Sequence, residues 1–185
     1  VAVNGSEVLK PLYYKLIRGA QVTPLLEDNL ASENVRIISG NVLTGKKISK
    51  EGFIGFSDSV VTVIPEGDYY ELFGWITPGL KKFSVSRSFL SWIMPSKEYR
   101  LDTNYHGGER AYVMTGEYEK VFPMDIYPVQ RLKSIMIEDI DRMEQLGIYE
   151  VVEEDMALCE FVCTSKTPVQ SILRKRLNTL RKEME

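Results

Sequence analysis

The sequence predicts an α+β chain: a small β-rich module of β-grasp type over residues 1–67, a connecting aromatic-rich segment over 68–121, and a small helical bundle over 122–185. Three observations carry this expectation. Short β-like runs alternate with glycine-containing breaks in the first part. The apolar spacing becomes helical after Phe122, with capping signals between the runs. At 185 residues and 44% hydrophobic composition, the chain can bury a substantial core.

Taken in order, residues 1–8 read as a strand, Pro11 breaks it, and residues 13–17 read as its hairpin partner. Arg18-Gly19 is a turn. Thr23-Pro24-Leu25-Leu26 opens a short helix, with Thr23 as N-cap and Pro24 in the first turn. Residues 35–39 and 60–64 supply the third and fourth strands, with Gly40, Gly45, Gly52 and Gly55 between them. The order strand–strand–helix–strand–strand gives the β-grasp expectation. In the connecting segment, Pro78-Gly79 and His106-Gly107-Gly108 mark loops, and residues 83–94 suggest a helix starting near Ser86 or Ser88. Its aromatics, Tyr69, Tyr70, Phe73, Trp75, Phe83, Phe89 and Trp92, read as core or interface packing ahead of a cofactor box.

The helical part opens with Asp125 as N-cap and Pro128 in the first turn. Val129, Leu132, Ile135 and Met136 form one face, and Ile137, Ile140, Met143 and Leu146 continue at near-helical spacing until Gly147 stops the run. Glu153-Glu154-Asp155 places negative charge where the next helix dipole favours it. Leu158, Cys159, Val162 and Cys163 are expected on one face. Thr167-Pro168-Val169-Gln170 is a capping box launching a last helix with the stripe Val169, Leu173, Leu177, Leu180 and Met184.

Composition narrows function. With 23 basic and 26 acidic residues and a net charge of −3, nothing favours nucleic-acid binding. No apolar run approaches the roughly 20 residues that span a bilayer. Two cysteines do not make a secreted disulfide framework, and a reducing cytoplasm fits them better. The chain starts without Met, inside a strand-like run, and reads as a piece of a longer protein.

Catalytic constellations are thin. His106 is the one histidine, and no serine sits in a nucleophile elbow. There is no phosphate loop, dinucleotide fingerprint or metal-binding His pair. His106-Gly107-Gly108-Glu109-Arg110 offers amides for an anion, but a tight turn with a Glu–Arg pair is the simpler reading. The acidic residues 150–155 read as capping and solvation. Lys166, Arg174, Lys175, Arg176, Arg181 and Lys182 read as a solvated face, with anionic lipid or an acidic partner as the weaker alternative.

Cys159 and Cys163 are the only cysteines. Clusters and structural zinc want four ligands, which this set does not supply. Core filling leads, ahead of a metal site shared at a subunit interface and of redox activity. No catalytic or metal-binding residue is assigned, and the cofactor-binding residues are unknown.

Several separated motifs resemble the A subunit of the sodium-translocating NADH:quinone reductase family. They are Val35-Arg36-Ile37-Ile38-Ser39-Gly40 with Val42-Leu43-Thr44-Gly45, Phe73-Gly74-Trp75 with Pro78-Gly79, and Asn104 with Gly107-Gly108-Glu109-Arg110-Ala111. Pro123-Met124-Asp125-Ile126, Leu146-Gly147, Glu153-Glu154-Asp155, and Ala157-Leu158-Cys159 with Phe161-Val162-Cys163 continue the series in order. The resemblance implies the C-terminal portion of a peripheral, cytoplasmic subunit on the inner membrane of a bacterium. It implies a complex that oxidises NADH, reduces a quinone such as ubiquinone and exports sodium. FAD, FMN, riboflavin and iron–sulfur centres would lie on the other subunits (B to F) and none on this piece. Membrane contact would run only through the complex.

The flavin-bearing subunit of respiratory complex I and the cluster-bearing C subunit of the Rnf complex are similar in architecture, with a β-grasp ligand-binding (SLBB) module before a helical domain. By that comparison Cys159 and Cys163 look like the remnant of a cluster segment. The expected role is assembly, with quinone interaction as a further implication. The alternatives are a quinone-binding β-grasp module lined by Tyr13, Tyr14, Tyr69 and Tyr70, and a Cys-ligated metal domain.

Overall fold

The computed structural model describes residues 1–69, 78–80, 82–85, 87, 89–94, 98–106, 108 and 110–184. It divides into two compact units, Val1–Gly107 and Gly108–Glu185. Mixed α/β structure follows, with a five-stranded sheet in the first unit and helices dominating the second. Among the described residues, no helix is long and apolar enough to cross a membrane.

In the first unit the elements are β1 (Ala2–Asn4), β2 (Leu12–Tyr13), α1 (Thr23–Leu26), β3 (Val35–Ser39), β4 (Lys46–Ile48) and β5 (Val60–Pro65). The sheet order is β2-β1-β5-β3-β4. β1 and β5 run parallel, with Val3 opposite Val61, and the other pairs are antiparallel. A five-stranded mixed sheet is compatible with the SLBB-like module that the resemblance implies. Its central strands place Val3, Ile37, Val61 and Val63 in a core with Val22, Leu25 and Leu26 from the helical side.

The elements differ from the sequence expectation in detail. β1 ends at Asn4 because Gly5, at φ 125°, turns the chain where a Cβ would collide with the Val63 carbonyl. β2 keeps only Leu12–Tyr13 of its expected run. Thr23 lies inside α1 rather than capping it, and its hydroxyl donates to the Lys50 carbonyl at 2.7 Å. Strand β4 was not expected, since Lys46-Lys47 carries no apolar alternation. It is an edge strand, where lysines discourage further pairing. A 3-10 turn at Leu90–Ile93 stands in the expected helical stretch. Ser86 and Ser88, the expected helix starts, lie outside the described residues, as do Tyr70, Phe73 and Trp75.

The second unit contains α2 (Pro128–Met136), α3 (Ile140–Gln145), α4 (Ala157–Val162) and α5 (Val169–Met184), with 3-10 turns at Ile148–Glu150 and Glu153–Met156. Pro128 opens α2 as expected, but Tyr127 holds the N-cap position, not Asp125. The apolar run through Ile137 and Ile140 is divided between two helices, and the described residues of this unit carry four α-helices, the number expected. Glu138 adopts φ 60°, and the Asp139 carboxylate accepts from the Arg142 N–H at 3.0 Å, capping α3. Gly147, at φ 69°, ends that helix as expected. Val129, Leu132, Ile135, Met143, Met156, Val169, Leu173 and Leu180 form one core, while Met136 and Met184 are exposed.

Candidate functional site

The two thiols sit inside the core of the second unit. Cys159 is 0% and Cys163 3% exposed, among Tyr118, Phe122, Val162 and Val169. Cys163 falls just past the end of α4, with its N–H donating to the Glu160 carbonyl at 3.2 Å. Its sulfur accepts the Thr167 N–H at 3.4 Å, and the Cys159 sulfur lies 4.0 Å from the Tyr118 carbonyl. Leu158, expected beside them, is exposed.

Burial pushes the Cys159 thiol up to about 12, helped by the nearby Glu119 carboxylate. The phenols of Tyr112 and Tyr118, whose rings pack 5.8 Å apart, are likewise pushed above the usual tyrosine range by burial. The Cys159 thiol is therefore neutral, and both buried sulfurs fill space as small apolar groups. Among the described residues, no three His, Cys, Asp or Glu side chains converge as metal ligands. Two buried sulfurs without further donors do not fit an iron–sulfur cluster.

Arg131 carried no signal in the sequence, yet it is 0% exposed. Its Nε donates to the Leu146 carbonyl at 2.9 Å, placing a cation on the C-terminus of α3. Burial lowers its pKa, and the Glu150 carboxylate opposes that shift. Asp155 caps as expected, its carboxylate accepting from the Val152 N–H at 3.0 Å, while Arg174, expected on a solvated face, bridges to Glu153. Arg176 is buried, not solvated. The Arg110 N–H donates to the Ser165 carbonyl at 3.0 Å.

In the first unit, the Glu7 carboxylate is fully buried and takes hydrogen bonds from Ser32 at 3.0 Å and Arg100 Nε at 2.8 Å. Burial alone would raise its pKa, but these donors outweigh it and the net shift is downward. Glu66 joins the strands: Arg36 on β3 and Lys47 on β4 both bridge to it. The Arg36 hydrogen bond, with Lys47, holds Glu66 down at about 2 against its burial. His106, at φ 46°, pairs with Asp102 at 2.9 Å. Gly107 and Glu109 of the expected anion turn lie outside the described residues. Of the tyrosines expected to line a quinone site, Tyr13 and Tyr69 are exposed and Tyr14 packs against the sheet core.

The NQRA C-terminal domain family matches residues 1–50. The A subunit of the Na(+)-translocating NADH-quinone reductase of Shewanella frigidimarina is 40% identical over 184 residues, covering 99% of this chain and 41% of that protein. Its counterpart in Rhodopirellula baltica is 40% identical over 185 residues, and that of Neisseria meningitidis serogroup B 38% over 184, with the same coverage of each. The chain is similar to these proteins from end to end. It spans 41% of their length. Their names make each a subunit of a translocating NADH-quinone reductase.

Proposed function

We propose that this chain serves as the A-subunit component of a sodium-translocating NADH:quinone reductase, acting by docking and shaping the assembly rather than by its own chemistry. The observation that carries the reading is the 40% identity to the Shewanella frigidimarina protein over 99% of the chain. The first unit acts as a β-grasp module of the SLBB kind, supported by the order β2-β1-β5-β3-β4 with its parallel central pair. The second unit acts as a helical scaffold around a closed core that includes both cysteines. NADH oxidation, quinone reduction, flavins and iron–sulfur centres belong to the sister subunits (B to F), on the cytoplasmic side of a bacterial inner membrane. The burial of both thiols supports placing electron transfer elsewhere.

A chimera tests this. The homologous stretch of the Shewanella frigidimarina protein is replaced by this chain, and complex assembly and sodium-dependent quinone reduction are measured. Assembly with retained activity supports the reading, and a chimera that folds but never joins the complex refutes it. Quinone binding by the sheet unit is tested separately by titrating the chain with a soluble quinone. Saturable binding would extend the role from assembly to substrate contact.

A further inference from the structure

The exposed margin of the sheet unit joins apolar tips to unopposed cations. Tyr13 is 91% and Ile17 87% exposed. The N–H of Ala20 donates to the Ile17 carbonyl at 3.1 Å, closing a turn through Gly19 at φ 75°. Segment 20–22 then lies along 52–54: the Val22 and Ile54 N–H groups donate to the Gly52 and Ala20 carbonyls at 3.0 Å, and Gln21 bridges Phe53. That pairing sets the exposed rings of Phe53 and Phe56 beside the turn, with the Arg18 guanidinium 5.0 Å from the Phe56 ring centre. Between Val8 and Leu26 the chain carries Lys10, Lys15 and Arg18 and no carboxylate side chain. Among the described residues, none of the three lies in a salt bridge. Of the acids flanking the rings, Glu51 sits next to Lys50, and Asp58 accepts from the Ser39 hydroxyl.

We propose that this margin is a docking surface for an anionic lipid bilayer, with Tyr13, Ile17, Phe53 and Phe56 entering the headgroup region and Lys10, Lys15 and Arg18 facing lipid phosphates. Charge complementarity selects the occupant, because a chain of net charge −3 keeps a cation-only stretch among these exposed apolar side chains. Shape agrees: tips this exposed protrude, which suits insertion among headgroups, whereas a protein partner would need a matching cavity. The proposal rests on the membrane-side location proposed above and adds a direct lipid contact to attachment through sister subunits.

The test uses the full chain and vesicles of phosphatidylcholine with about one-third phosphatidylglycerol, against phosphatidylcholine alone. Co-sedimentation is expected only with the anionic vesicles, and it should collapse in high salt. A triple variant, Lys10→Gln with Lys15→Gln and Arg18→Gln, should weaken partitioning about a hundredfold. A double variant, Tyr13→Ser with Ile17→Ser, should weaken it about tenfold or more. All five side chains are exposed, so unchanged circular dichroism and melting are expected to confirm folding. A parent chain that ignores the anionic vesicles overturns the proposal, as does a triple variant that binds like the parent. Binding to soluble polyglutamate but not to vesicles also overturns it, marking an acidic protein as the occupant. None of these failures touches the proposed place in the reductase, which the chimera tests independently.

Discussion

At Cys159 the packing of one residue decides which chemistry is open to it. The sulfur is wholly buried and its thiol is pushed up to about 12, so reagents that need a thiolate meet a protonated, covered group. Ellman's reagent should leave both cysteines of the native chain unmodified and titrate two thiols after denaturation. Rapid native labelling of Cys159 would refute core filling. The same shift sets a pH dependence. The folded pKa lies above the ordinary value of 9.0, so the unfolded chain loses its proton first as pH rises. The contribution is complete below about pH 9 and is lost towards about pH 12, and the buried phenols of Tyr112 and Tyr118 act in the same direction. Denaturant midpoints measured across this range should fall, and Cys159→Ala should flatten part of the slope. At neutral pH, Cys159→Ala should cost about 1–2 kcal/mol, and Cys159→Ser more, since it buries a hydroxyl in place of a soft sulfur.

At the level of elements, the α2–α3 break and the edge of the sheet show which signals the sequence carries. Apolar spacing through Ile135, Ile137, Ile140 and Met143 runs on without interruption, so periodicity alone does not place the break between the two helices. The legible cue was Asp139, three residues before Arg142 and preceding a new helical run, the pattern of an N-cap. Asp139→Ala should therefore destabilise the chain by about 1 kcal/mol in urea titration, while Asp125→Ala, at the position expected to cap, should change little. β4 was illegible for a different reason. Lys46 and Lys47 look like loop residues, and only the ladder with β3 and the Lys47–Glu66 pair reveal a strand. That pair, with Arg36, makes Glu66 an acid sensor of the sheet. Its pKa is depressed from 4.5 to about 2, so its stabilisation is present above about pH 4.5 and is lost as pH falls towards 2. Glu66→Gln should reduce stability at pH 7 and remove part of the acid slope. Equal slopes for variant and parent would show that the ion pairs contribute nothing. Gly147 and Pro128 were readable because left-handed and first-turn positions depend on the local residue alone. Arg131 was not, since its burial depends on a carbonyl at Leu146 that only the fold brings near.

At the scale of the whole chain, the sequence carried a likeness in motif order to the A subunits and no self-contained active site. Among the described residues, the chain holds two hydrophobic cores with no residue in common, one gathering residues 3–63 and the other 118–180. Each unit should therefore lose stability from damage to its own core. Ile37 is 2% exposed in the sheet core and Leu173 0% exposed in the helical core. Truncating either to alanine removes apolar contacts and leaves a cavity, at a cost of about 2–5 kcal/mol. Native-state hydrogen exchange followed by mass spectrometry reads where that cost falls. Ile37→Ala should raise exchange in peptides from Val1–Gly107 and leave those from Gly108–Glu185 unchanged, with Leu173→Ala doing the reverse. If either substitution accelerates exchange across both units, the two cores unfold as one cooperative body. The sheet unit would then be unable to engage a partner or a surface without committing the helical unit as well.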